Sequence, residues 1–281
     1  MRELKLKAVG SSPLIADEIK SIAESFLGNE IFIDAIATKD LDNVEENTFY
    51  VCAKSQEPYL LEKVPQENIF VFDLHPTTKF FLDIAQIPSN EFVCVFNNRL
   101  PYTKLLIEEC HELGINQLNF LPVAYEDMAF AEVTARLQKS GFIIGIECLT
   151  GKKMLLSDRF SPYLRTDVKI ISGNRVASVK SSGKLIAGIA DFYYTAFVDE
   201  KNSLNAIQPD KIEFLSNRIS QTVTMLKSAV NRAVTRQVDF NGKSSFSDEV
   251  EVYSKGKIDS TVIEEQLRVL FYIKQKIQEL C

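Results

Sequence analysis

The chain has 281 residues, 46% of them hydrophobic and 25% charged, with a formal net charge of −6 at pH 7. That composition excludes a wholly disordered or collagen-like chain, and the acidic balance argues against a general pull toward nucleic acid or an anionic membrane. The length lies where single cores stop growing, at about 250–300 residues, so two units are expected.

In chain order, LKLKAVG (4–10) reads as a strand and leads to a helical pattern from Pro13 to Leu27, with Ile15, Ile19, Ile22 and Phe26 on one face. The β-rich runs 31–37, 48–53 and 68–74 follow, then a helix opening at Pro76, where a missing N–H costs nothing. FVCVFN (92–97) precedes a helix that carries Pro101 near its start and stops at Gly114, and QLNFLPV (117–123) is the next strand. Strands alternating with helices predict an α/β fold: a Rossmann-like or flavodoxin-like, mostly parallel sheet with helices on both faces. The expected division is an α/β lobe over 1–124, a second α/β lobe or the completion of the sheet over 125–200, and a helical tail over 209–281.

Within the second segment, 125–139 reads as a helix, and 142–149 and 168–173 as strands. The stretch 175–198 reads as a glycine-containing helix, with a hairpin at Ser182-Gly183 as its alternative. Residues 151–190 hold eight Lys or Arg against Asp158 and Asp167, leaving the remainder of the chain at −12. Aromatic interleaving is thin in that run, with Phe160 and Tyr163 only, so direct nucleic-acid binding is not expected. The polar connection 199–210 ends in Pro209 and reads as a domain boundary. Beyond it, Leu215, Ile219, Val223, Leu226 and Val230 form a heptad-like stripe, and Ile263, Leu267, Leu270, Ile273 and Ile277 form another. Helices over 211–236 and 259–280 must bury those seams in an intrachain hairpin or a homodimer. Residues 237–257 read as a loop or small hairpin.

Several chemistries fail on spacing. The five cysteines are scattered without a CxxC pair, and with only His75 and His111 beside them no zinc site is encoded; plain packing in a reducing, cytosolic setting is the expectation. No stretch of about 18 apolar residues occurs, and the N-terminus lacks the apolar core of a secretion signal, so neither a membrane span nor export is expected. GxGxxG is absent, which removes the signature of a nicotinamide cofactor, and no cofactor is expected. Gly145, Gly151 and Lys152 look like a phosphate loop, but five residues separate the glycines instead of four, and Lys153 stands where Ser or Thr should hold magnesium. GxSxG is absent too.

The candidate site residues come from the rule that ligands of open parallel sheets bind beyond the carboxyl ends of the strands. These are Ser11 and Ser12 after the first strand, Lys54 and Ser55 after the third, Asp73 and His75 after the fourth, Asn97, Asn98 and Arg99 after the fifth, and Asn174 from the later segment. In one parallel sheet these tips share a rim. Ser11 and Ser12 can cradle an anion or simply cap a helix, and Arg99 can fork onto a ligand carboxylate or stay solvated.

The segments Val9–Ser12, PQENIFVFDLHPTTKFFLDIAQIP (65–88), EFVCVFNNR (91–99) and ELGINQLNFLPV (112–123) resemble the N-terminal sensory region of bacterial sigma-54-dependent enhancer-binding transcription regulators. The resemblance implies a Rossmann-like receptor module. It departs from the family in having neither the ATPase nor a DNA-binding helix pair, which sets promoter activation aside. The combined expectation is an effector-sensing module that binds a small polar or anionic metabolite and signals through its helical tail. The alternatives are a metabolic enzyme acting on a phosphorylated or carboxylated small molecule in the same cleft, and a non-catalytic scaffold.

Overall fold

The computed structural model describes residues 3–204, 209–235 and 260–279. The expected loop or hairpin at 237–257 lies outside the described residues. Four parallel strands, β1 (Lys5–Gly10), β2 (Ile33–Ala37), β3 (Thr48–Ala53) and β4 (Ile69–Phe72), form one sheet in the order β2-β1-β3-β4. A second parallel sheet contains β6 (Phe92–Asn97), β7 (Asn119–Ala124), β8 (Phe142–Ile146) and β9 (Lys169–Gly173), in the order β7-β6-β8-β9. The expected α/β fold with parallel sheets and flanking helices is therefore the fold observed. Short strands β5 (Leu74–Pro76) and β10 (Arg175–Ala177) form a separate two-stranded ribbon.

The chain divides into two units, one made of residues 1–74 with 177–281, the other of residues 75–176. Position 124, where the first lobe was expected to end, is the last residue of β7 and lies inside the second sheet. Each set of four strands repeats the same local order, second-first-third-fourth, and closes its own core.

In unit 1, Val9, Tyr50, Cys52 and the partly buried Val71 face Leu41, Leu60 and Val64, the latter including α2 (Glu57–Leu61). The opposite side is covered by α1 (Pro13–Leu27) and α7 (Val179–Ser203), and the Phe70 ring of β4 lies where a side chain at Gly188 of α7 would stand. The helical reading of 175–198 thus holds from Val179. The expected linker is helical as far as Ser203, because α7 continues through it. Helices α8 (Pro209–Thr235) and α9 (Ser260–Glu279) pack on α7 and on each other, and α8 also packs on α1. Both apolar stripes are buried there: Leu215, Ile219, Val223, Leu226, Leu270 and Ile273 are all at most 1% exposed. The seams are thus covered within unit 1, by α7 and α1 as well as by each other.

In unit 2, α3 (Thr78–Ala85) and α4 (Leu100–Glu112) cover one sheet face, where Phe80, Ile84, Leu106 and Cys110 meet Val93, Val95 and Ile144. The short α6 (Glu147–Thr150) and α5 (Phe130–Lys139) lie against β8 and β7. Two expectations are corrected. Pro76 ends β5 rather than opening a helix, which begins at Thr78, and 125–129 is a turn, so the helix expected from Tyr125 begins only at Phe130. Among the described residues, no helix is long and apolar enough to cross a membrane.

Candidate functional site

The sequence-derived candidates divide between two sheets. Ser11, Ser12, Lys54, Ser55 and Asp73 follow strands β1, β3 and β4 of unit 1; Asn97, Asn98, Arg99 and Asn174 follow β6 and β9 of unit 2. His75 lies within β5. The single shared rim is thus replaced by two, because β6 opens a new sheet instead of extending the first.

The unit 1 rim is largely satisfied by its own groups. Ser12 is the N-cap of α1, its Oγ 3.5 Å from the Ile15 N–H, and its carbonyl accepts from the Ala16 N–H at 2.9 Å. Gly10 is required by close approach: a Cβ there would stand 2.7 Å from the backbone of Ile15. The turn is therefore built to bring α1 onto β1. Beside it, the Thr38 hydroxyl lies 2.6 Å from Gln56 Oε1 and 3.0 Å from the Gly10 carbonyl. Lys54 and Ser55 are exposed on a single 3-10 turn. Asp73 is exposed, and its carbonyl accepts from the Ser178 N–H at 2.8 Å.

The unit 2 rim is different. Asn97 is 3% exposed, and its Oδ1 accepts from the backbone N–H of Asn98 at 2.8 Å and lies 3.4 Å from that of Arg99, while its Nδ2 has no hydrogen-bond partner. On the adjacent strand, Tyr125 directly follows β7 and is 7% exposed, and its hydroxyl is also buried without a partner. The two strand ends are tied together, since the Tyr125 N–H donates to the Asn97 carbonyl and the Glu126 N–H to the Asn98 carbonyl, both at 3.1 Å. A buried polar group without a partner carries a desolvation penalty, of about 1–3 kcal/mol for a neutral one. Two of them at the ends of paired strands mark a place where the fold keeps hydrogen-bonding capacity in reserve.

Arg99 is engaged within its own loop. Its guanidinium pairs with Glu126 at 3.0 Å and with Asp127 at 2.7 Å, and Asp127 also accepts from the Leu100 N–H at 2.8 Å, so these groups brace the start of α4. Asn98 is buried, with Nδ2 3.5 Å from Glu126. Asn174 is exposed, and its carbonyl accepts from the Thr77 N–H at 3.1 Å.

Tyr125 and Arg159 are the residues that sequence reasoning missed. The Tyr125 ring stacks on Phe96 at 5.4 Å and tilts against Phe160 at 5.8 Å, and Phe160 in turn meets Phe130 at 5.9 Å. The Arg159 guanidinium lies over this cluster, 4.8 Å from the Phe160 ring centre and 5.9 Å from those of Tyr125 and Phe130. Burial pushes the Tyr125 hydroxyl well above the usual phenol range, with Glu126 and Cys148 acting the same way and Arg159 and Arg99 opposing them. The hydroxyl is therefore a neutral donor throughout the physiological range. The signal for Tyr125 was its position one residue past a strand. For Arg159 it was the flanking Phe160, read only as part of a basic run.

The buried thiols are inert by environment: burial raises Cys52 and Cys110 to about 12 and raises Cys94 further. Among the described residues, no group of three His, Cys, Asp or Glu side chains is placed to hold a metal ion. Compared with protein-family models, with curated proteins and with solved structures, the chain finds no match in any of the three.

Proposed function

We propose that the chain is a small-molecule receptor module, taking a polar or anionic metabolite at the carboxyl edge of the unit 2 sheet and serving as the sensory part of a transcription regulator. The observation that carries the binding reading is the pair of buried, unpartnered groups, Asn97 Nδ2 and the Tyr125 hydroxyl, at the ends of adjacent strands. The regulatory setting rests on the resemblance of the segments between Val9 and Val123 to sigma-54-dependent sensory regions. Signalling through α7–α9 requires that the ligand favour one arrangement of those helices over another.

A thermal-shift screen of metabolites against the full chain tests this reading, with Tyr125→Phe as the control. Ligand at about 100 times its Kd stabilises by about 2.7 kcal/mol. The phenylalanine variant lacks only the hydroxyl, so without ligand it is expected to be as stable as the parent or more so, and to lose stabilisation by the compounds that bind. A destabilised variant whose ligand response is intact would show that the hydroxyl serves the fold and not a ligand. Turnover of a stabilising compound would move the assignment to the enzyme alternative.

A further inference from the structure

Among the described residues, the arginines of unit 2 have different fates. Arg99 is held by Glu126 and Asp127, Arg136 by Glu132 and the Pro122 carbonyl, and Arg165 by Asp167. Arg175 lies over the Tyr102 ring at 5.1 Å. Arg159 has no carboxylate or carbonyl partner among the described residues; its contacts are the faces of Phe160, Tyr125 and Phe130. The exposed guanidinium thus rests on an aromatic corner, with no protein acceptor for its N–H donors among the described residues. The same corner holds the unpartnered Tyr125 hydroxyl, 93% of whose residue surface is buried. Phe130, 43% exposed and 5.5 Å from Tyr163, supplies an apolar shelf beside them. On the adjoining turn, Glu126 and Asp127 are already paired with Arg99.

From this arrangement we infer that unit 2 carries an oxyanion site in which Arg159 and the Tyr125 hydroxyl receive the carboxylate or phosphate head of a small molecule and Phe130 receives its apolar body. The chemistry is that of a planar fork meeting two oxygens, with a neutral hydroxyl donating a further hydrogen bond. Arg159 is exposed and rests on ring faces, so binding in this scheme turns its fork toward the incoming anion and requires the buried Tyr125 hydroxyl to be uncovered. The inference deepens the receptor reading and rests on it, since it names the ligand class of the same strand-end region.

The experiment is calorimetric titration of the full chain with benzoate, phenyl phosphate and neutral benzamide at matched ionic strength. Benzoate or phenyl phosphate is expected to bind at least tenfold more tightly than benzamide, and the stronger of the two identifies the head group. Arg159→Gln is expected to remove that preference, Arg159→Lys to keep part of it, and Tyr125→Phe to weaken the anion several-fold. Equal affinity for benzamide, no binding of either anion, or anion binding unchanged in Arg159→Gln would overturn the inference. If neutral metabolites still stabilise the chain in a Tyr125-dependent way, the receptor reading stands and the anionic class alone is wrong. If nothing stabilises it, both are wrong.

Discussion

Asp127 illustrates how the candidate region is braced by single side chains. It sits in the turn after β7, yet one of its oxygens accepts from the Leu100 N–H at the first turn of α4 and the other from Arg99. The backbone bond from Leu100, followed by Arg99, holds its carboxyl below the usual aspartate range. Replacing Asp127 with Ala leaves a helix N-terminus without its acceptor, at an expected cost of about 1 kcal/mol in urea unfolding. The sign of the pH dependence follows from the lowered value. The unfolded chain binds this proton more tightly, so the contribution is complete above the unfolded value, about 3.9, and is lost as pH falls through the native one. The stability difference between parent and Asp127→Ala should therefore be full at pH 7 and shrink toward zero in acid; a difference constant down to pH 2 would contradict the assignment. The same loop shows why site residues were only partly readable. Asn97 was legible as a polar residue ending an apolar strand, whereas its unfilled Nδ2 depends on Oδ1 being taken by two backbone groups.

At the scale of elements, the seam between α1 and α8 turns on Arg232. Its guanidinium donates to the Phe26 carbonyl at 2.7 Å and to the Leu27 carbonyl at 2.8 Å, filling acceptors that the end of α1 leaves open. Gly28 then turns the chain at φ +81°, where a Cβ would run into Glu30 and the Arg232 guanidinium. Arg232→Ala is expected to lower unfolding stability by about 1–2 kcal/mol, with Arg232→Lys recovering part of it, because half-exposed charged hydrogen bonds fall at the lower end of their range. An unchanged urea midpoint would mean that solvent serves those carbonyls equally well. The periodicities of α1, α8 and α9 were plain in the sequence, since each helix buries one stripe, and Gly114 marks the end of α4 with a φ of +82°. What periodicity could not reveal was the turn at 125–129. It is held by backbone bonds such as Met128 N–H to the Ala124 carbonyl at 3.0 Å, and its residues also fit a helical pattern. Pro76 misled for a related reason, because proline suits a short edge strand as well as a first helical turn.

For the whole molecule, the parallel α/β class was legible in the alternation of strands and helices, but the division into units was not. The chain leaves unit 1 after Leu74 and returns at Ala177, and neither crossing carries the glycine- and proline-rich linker by which boundaries are usually recognised. Unit 2 is one continuous segment with its own apolar core, Val93, Val95 and Ile144 against Phe80, Leu106 and Cys110. Residues 75–176 expressed alone should accordingly show a cooperative thermal transition; a featureless melt would show that this segment depends on the rest of the chain. The central claim is that ligand chemistry resides in that segment, at the ends of β6 and β7. Hydrogen–deuterium exchange of the full chain, with and without the compound that stabilises it most, addresses the claim most directly. Slowed exchange is expected at 97–99, 124–127 and 147–160. Slowing confined to 10–12 and 54–56, the satisfied rim of unit 1, would contradict it.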